Sequence, residues 1–163
     1  MVTLVSVLAA VIASPPGGTT AAKGLFLPTL LHRSSSDVLS TLTNCQPVEA
    51  APLRVACRAF IGSREVRATF AFDPAQVVQT IVVDHQAAAS REAALAQVQP
   101  WIASIERHYG APAHHREPSG DQVVFARSNL VAVVSTKRGP DGAWLVSSHL
   151  SDPSRRPRVI KTL

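Results

Sequence analysis

Two cysteines, Cys45 and Cys57, have the type and spacing that carry the clearest chemistry in this chain of 163 residues. They are the only cysteines and stand twelve positions apart, so they either form one disulfide or remain two buried thiols. The spacing is not that of a CxxC motif, and two thiolates alone do not complete a zinc site. In an oxidising compartment the pair should close, which stabilises a fold by about 3 kcal/mol for so short a loop. We therefore predict a Cys45–Cys57 disulfide.

Histidines are the next residues that could do chemistry, and the chain has six of them. His114 and His115 are adjacent, with His108 and Glu117 nearby. Adjacent side chains point to opposite faces of a strand and diverge on a helix, and no HExxH motif is present. Residues 113–120 are polar and turn-like, so we expect an exposed loop there. We predict no metal ligands and no cofactor.

A nucleophilic site would need a serine or cysteine beside a base. Asp84 and His85 stand at the end of a predicted strand, but the sequence has no GxSxG elbow. We predict no catalytic residues and no enzymatic activity. The alternative is a small secreted hydrolase, which would show a convergent polar pocket near His85, His108 or His114.

The chain is basic, with a net charge of +5. If the first two strands pair through a turn at Gly62, then Arg54, Arg58 and Arg67 share the solvent face. They would form either a patch for an anion or acidic partner, or an ordinary solvated sheet face. Residues 151–163 are rich in Pro and Arg and predict a mobile basic tail. No aromatic residue lies in that tail, so we do not expect nucleic acid as a partner.

The N-terminal residues 1–23 predict a signal peptide followed by a linker. An apolar run over residues 2–12 is too short to span a bilayer, and a segment rich in Pro and Gly follows it. No Lys or Arg precedes the run, so an alternative is a basic cytosolic protein with a misassigned start. We expect export to the periplasm or secretion, and no transmembrane span.

Residues 24–150 predict a single α+β domain that positions these groups. The pattern is helix, three strands, helix, three strands. The Ser and Asp side chains at residues 34–37 can cap a helix, and a short apolar stripe of Val38, Leu39 and Leu42 follows them. Ser90 is predicted to cap a longer helix that contains Trp101 and Pro100. Period-two alternation and short turns predict antiparallel strands. We expect two antiparallel meanders, with the short helix and the longer Pro-kinked helix packed on one side and Trp101 in the core.

Three stretches of the first half carry a family likeness: Ser-Asp-Val-Leu-Ser-Thr-Leu at 36–42, Thr-Phe-Ala-Phe-Asp at 69–73 and Val-Val-Gln-Thr-Ile at 77–81. They resemble small envelope lipoproteins of the SmpA/OmlA type and the related β-lactamase-inhibitor-like α+β fold. The Gly-Met-Thr and the lipid-attachment cysteine of that family are absent here. The resemblance implies a non-catalytic binding domain of the bacterial envelope. We expect a binding or accessory module whose partner is an envelope protein or an acidic surface.

Overall fold

The structure is a computed structural model that describes residues 25–50 and 53–155. The predicted signal peptide and linker, residues 1–23, lie outside the described residues. The described chain is mixed α+β, as the sequence predicts, and most of it is sheet. A short 3-10 turn, Leu27–Leu30, precedes the first helix.

One antiparallel sheet contains all eight strands of the described chain, in the spatial order β1-β2-β3-β4-β8-β7-β6-β5. Consecutive strands are neighbours within each half, and β4 pairs with β8 where the halves meet. The strands are β1 (Thr43–Ala50), β2 (Leu53–Ile61), β3 (Arg64–Phe72), β4 (Val78–Asp84), β5 (Ala113–Glu117), β6 (Gly120–Arg127), β7 (Leu130–Arg138) and β8 (Trp144–Ser151).

The two faces of the sheet follow from alternation along each strand. We call the face that carries Phe70, Ile81 and Leu150 the inner face, because these side chains are fully buried. The opposite face, which carries Arg58 and Val133, is the outer face. Cross-strand register keeps the same set of residues on one face from β2 to β6.

The first helix, α1 (Ser35–Thr41), starts where the sequence predicts. The Ser34 hydroxyl accepts from the Asp37 N–H, and the Asp37 carboxylate accepts from the Ser34 N–H, which makes a capping box. Only Val38 of this helix is buried, whereas Leu39 is 48% exposed. The expected apolar stripe is therefore narrower than predicted.

The second helix, α2 (Arg91–Tyr109), is capped by Ser90, whose hydroxyl accepts from the Ala93 N–H. The helix runs as one element through Pro100, whose side chain is exposed. Proline cannot donate to the carbonyl four residues earlier, so the Ala96 carbonyl loses its helical partner. The stripe that faces the sheet comprises Ala94, Val98, Trp101, Ile102 and Ile105.

A single buried cluster joins both helices to the inner face of the sheet. Trp101 is 2% exposed, which confirms its predicted place in the core. The core consists mainly of Val, Leu, Ile and Ala, with Phe70 and Phe125 as its largest fully buried side chains. Burial of each such aliphatic or aromatic group stabilises the fold by roughly 1.5–3 kcal/mol.

Two strands, β1 and β5, were missed by the sequence analysis, which counted three strands in each half. Residues 43–50 show no strand pattern, since Asn44 and Pro47 are residues that favour turns and helix ends. Asn44 takes a positive φ of 51°, and the pairing of β1 with β2 shifts register twice, which accommodates Pro47 at the sheet edge. The expected loop at 113–120 was wrong for residues 113–117, because every residue of β5 is exposed and no apolar alternation marks it.

The predicted disulfide is present: Cys45 on β1 is bonded to Cys57 on β2. Cys57 belongs to the inner face and is 1% exposed. The bridge therefore fastens an edge strand with irregular pairing to the core of the sheet.

The C-terminal segment differs at its start from the predicted tail. β8 extends through Ser151, and Pro153–Arg155 forms a short 3-10 turn. The buried Asp152 lies between these elements and pairs with His32 at 3.1 Å, which joins the end of the sheet to the chain before α1. Residues 156–163 lie outside the described residues. Over the described part of the chain, no helix is long and apolar enough to cross a membrane.

Loss of the disulfide should lower the free energy of unfolding by about 3 kcal/mol, because the bridge restricts the unfolded chain. Chemical denaturation of the oxidised and reduced wild-type protein measures this difference without altering a side chain in the core. Native protein treated with an alkylating reagent should take up no label. Two labelled cysteines in native material would contradict the bridge.

Candidate functional site

The outer face of the sheet lies opposite the buried cluster that contains residues of both helices. One transverse row on it, which we call the polar row, consists of Arg58, Arg67, Asp84, Ser147, Ser135, Gln122 and His115. The adjacent row, which we call the apolar row, consists of Ala56, Thr69, Val82, His149, Val133, Val124 and Ala113. Its three valines are half-buried and remain accessible.

The three predicted patch residues, Arg54, Arg58 and Arg67, all lie exposed on the outer face. Arg58 stands directly opposite Arg67 in the register of β2 and β3. Its guanidinium pairs with Glu65 and lies 5.7 Å from the centre of the Phe60 ring. Arg67 stands opposite Asp84. The basic group is therefore partly offset by carboxylates, and it forms a mixed charged border beside the apolar row.

A second polar arrangement lies inside the domain, between the end of β4, the middle of β8 and α2. The Trp101 indole N–H donates to the Ser148 hydroxyl at 3.0 Å, and the same hydroxyl lies 3.0 Å from Nε2 of His85. Ser148 is only 1% exposed. Burial, with a smaller effect from the charge of Arg64, lowers the pKa of His85 to about 4. The imidazole is therefore neutral at pH 7.

The sequence analysis did not foresee the link from Trp101 through Ser148 to His85. A signal for it exists in β8, where Val146, Ser148 and Leu150 occupy consecutive inner-face positions. A hydroxyl at a buried position needs a partner, because an unsatisfied buried polar group is costly. The partners themselves come from α2 and from the segment after β4, which no local pattern connects.

A pocket of about 650 Å³ opens next to His85, between the β2–β3 turn and α2. Ile61, Val66 and Pro100 provide apolar lining. The polar lining residues are Ser63, Arg64, Glu65, His85, Gln86 and Gln97.

A polar pocket near His85 is the arrangement that a hydrolase would show, so the contacts of the hydroxyls near the imidazole matter. The hydroxyl in contact with His85 belongs to Ser148, which is too deeply buried to meet a substrate. Ser63 lines the pocket without a hydrogen bond to His85 among the described contacts. A nucleophile needs a base within hydrogen-bond reach. The geometry instead assigns His85 a structural role toward Ser148.

The other candidate histidines are separated from one another. His108 stacks on Phe26 with ring centres 4.2 Å apart, and its Nδ1 lies 2.8 Å from the Ser104 carbonyl oxygen. His114 and His115 are adjacent on β5 and therefore point to opposite faces. Across residues 25–50 and 53–155, no group of three or more His, Cys, Asp or Glu side chains is placed to hold a metal ion.

An ion pair fixes the start of α2 to the second half of the sheet. Arg91 donates from Nε and Nη2 to the two carboxylate oxygens of Asp121, at 2.7 Å each. These bonds hold the pKa of Asp121 below its usual value. Arg91 also donates to the Glu117 carbonyl and lies over the Trp144 ring. The contact orients α2, and with it Trp101, over the sheet.

Comparison of the chain with family models, with curated proteins and with solved structures finds no match. The resemblance to SmpA/OmlA-type lipoproteins therefore stays an expectation from the sequence.

Acid should destabilise the fold through His85. Because its pKa is lowered from 6.5 in the unfolded chain to about 4, the unfolded state binds a proton first as the pH falls. The contribution of neutral His85 to the free energy of unfolding is complete above pH 6.5. It is lost as the pH falls from there to about pH 4, by up to about 3 kcal/mol. Urea unfolding across this range should show the loss in wild type and less of it in His85→Gln. The control variant, His149→Gln on the outer face, should retain the full loss of stability. If the free energy of unfolding changes equally with pH in all three proteins, the effect does not come from His85.

Removal of the Ser148 hydroxyl should leave two buried groups without a partner, the Trp101 N–H and Nε2 of His85. We expect Ser148→Ala to lower the free energy of unfolding by about 1–3 kcal/mol. The matched control is Ser147→Ala, one position along β8 on the outer face, which should change it by less than about 0.5 kcal/mol. Equal effects of the two variants would show that the buried link does not stabilise the domain.

Proposed function

We propose that this protein is an exported, non-enzymatic binding or accessory domain of the bacterial envelope that contacts its partner through the outer face of the sheet. The observation that carries the proposal is the apolar row, flanked by the polar row, on the face opposite the buried cluster. The proposed partner is an envelope protein.

The arrangement of the elements supports this choice of face. We infer two antiparallel meanders with both helices packed on one side, so that the helices protect the inner face and leave the outer face to solvent. Half-buried Val82, Val124 and Val133 offer apolar area at the centre. Protein interfaces commonly combine such an apolar centre with a polar, charged rim.

The charges of the outer face favour a protein partner over a uniformly acidic surface. Glu65 and Asp84 lie among the predicted cations, so the border presents both signs rather than a strongly positive field. Mixed charges of this kind specify orientation and exclude wrong partners. A polyanion or an anionic membrane would be attracted chiefly by an excess of one sign.

The disulfide supports the compartment. Bonds of this kind persist in oxidising environments, which include the periplasm and the exterior of the cell. Together with the apolar run over residues 2–12, the Cys45–Cys57 bridge favours export. A reporter fused to residues 1–23 tests this part separately, because it should be found outside the cytoplasm.

Site-specific photo-crosslinking tests the binding face. A photoreactive amino acid placed at Val133 should form an adduct of discrete mass in native envelopes, whereas the same group at Glu106 on α2 should not. Val133 is half-buried on the outer face and Glu106 is exposed on α2, so the two positions report opposite sides of the sheet. An adduct formed only from position 106, or none from position 133, would contradict the proposal.

Charge substitutions provide a second arm of the same test. The Arg58→Gln/Arg67→Gln variant should reduce the adduct at position 133 about tenfold, since two charged contacts of about 0.7 kcal/mol each amount to about 1.4 kcal/mol. The control, Arg33→Gln/Arg107→Gln, removes the same total charge away from the outer face. If both variants reduce the adduct equally, only long-range attraction is involved.

A further inference from the structure

The pocket beside His85 is separate from the proposed binding face, because it opens on the helix side of the sheet. Ile61 and Val66 line it from inner-face positions of β2 and β3, and Pro100 lines it from α2. Its volume of about 650 Å³ lies within the range of sites for small organic ligands. The apolar lining can receive a short hydrocarbon group.

The contacts of Ser148 favour one of the two neutral forms of His85. The Ser148 hydroxyl accepts the Trp101 N–H and lies 3.0 Å from Nε2 of His85, and no other described contact of this buried hydroxyl offers an acceptor for its hydrogen. Because a buried donor without an acceptor is costly, we assign that hydrogen to Nε2 of His85. A neutral imidazole that accepts at Nε2 carries its hydrogen at Nδ1. The position of this proton is thus set by a partner that is itself held by the core.

The Nδ1–H group of His85 is available to a ligand. None of the described hydrogen bonds engages Nδ1, and no side-chain polar atom that is buried in the described chain lacks a partner. It follows that Nδ1 is accessible to solvent, in a residue that lines the pocket. The contact with Ser148 thus orients the imidazole, and the accessible Nδ1–H belongs to a residue of the pocket wall.

Arg64 supplies the second donor. It stands at the start of β3 beside the Gly62 turn, on the same side of the sheet as Val66, and lines the pocket. The positive charge of Arg64 contributes to the lowered pKa of His85. Glu65 also lines the pocket, but its carboxylate pairs with Arg58. Across the described chain, the Arg64 guanidinium forms no ion pair, so its charge is not neutralised by a neighbouring carboxylate.

Gln97 holds the remaining wall in place. Its side-chain N–H donates to the Gln86 carbonyl at 2.9 Å, which ties α2 to the segment that follows His85. The His85 donor therefore projects from a segment that is anchored to α2, and the Arg64 donor projects from the β2–β3 hairpin. A carboxylate has two acceptor oxygens, which match one guanidinium and one N–H donor.

We propose that this pocket binds a small monocarboxylate with a short apolar chain, whose carboxylate accepts hydrogen bonds from Arg64 and from Nδ1–H of His85. The apolar chain lies against Ile61, Val66 and Pro100. The ligand leaves the outer face free, so the domain can hold it and a protein partner together.

The test is a titration of ¹⁵N-labelled protein at pH 7 with hexanoate, followed by NMR. Hexanoate should shift the signals of His85 and of the β2–β3 turn, and the neutral isostere hexanamide should bind at least about tenfold more weakly, as expected for loss of a charged hydrogen bond. Inorganic phosphate should also bind more weakly, because it cannot use the apolar lining. Equal affinity for hexanoate and either other probe would overturn the proposal.

A pair of arginine variants on the same hairpin locates the site. Arg64→Gln should weaken hexanoate binding at least about tenfold, whereas Arg67→Gln, on the outer face, should stay within about twofold of wild type. Both residues are exposed, so both variants should fold. Equal affinity of the two variants, or the absence of a hexanoate-dependent shift at His85 up to about 10 mM, would overturn the proposal. Neither result bears on crosslinking from the outer face, so the two proposals fail separately.

Discussion

The pairing of β4 with β8 is the contact on which the rest of the structure depends. It joins residues 80–84 to residues 147–151 and turns two runs of neighbouring strands into one eight-stranded sheet. Ile81 and Leu150, which face each other across this pair, are fully buried at the centre of the core. Without this pairing, β4 and β8 would each present a long unpaired edge, and α2 would cover only its own half. A continuous inner core and a continuous outer face are both consequences of it.

The same pair of strands also places the buried polar link. Ser148 lies opposite Val83 of β4, and Val83 is two residues before His85. The Ser148 hydroxyl therefore contacts both the imidazole of His85 and the indole N–H of Trp101. Burial of three polar groups in one place is tolerated because each satisfies another. The cost of charging His85 in this setting couples the stability of the domain to pH. The link thus connects α2, β8 and the wall of the pocket through the two hydrogen bonds of Ser148. A substitution in any one of the three residues removes a hydrogen-bond partner within this link.

Local patterns predicted the parts of the fold that local physics determines. Ser34 and Ser90 cap helices because their hydroxyls satisfy free N–H groups, and Trp101 is buried because it lies on the apolar stripe of α2. Edge strands carry little such signal: β5 has no buried residue and β1 contains Pro47, so both were missed. The predicted hairpin through Gly62, together with the alternation along β2 and β3, places Arg58 and Arg67 on one face. The ion pair of Arg58 with Glu65 lies within that same hairpin. The contact of His85 with Ser148, 63 positions apart, depends instead on long-range strand pairing that no short window of sequence contains.

The two edges of the sheet make strand addition a poor route for a partner, which leaves the faces. β1 has Pro47, which cannot donate a ladder hydrogen bond, and two irregularities in register that distort its backbone. β5 is only five residues long and carries His, Arg and Glu side chains. Short, charged or bulged edges are the usual devices by which sheets avoid edge-to-edge association. If both helices pack on the inner face, as proposed above, a partner that contacts several strands at once would approach from the outer face, where the half-buried valines lie across the boundary between the two halves. Binding there would bridge β4, β7 and β6, and it would therefore stabilise the central pairing that holds the sheet together.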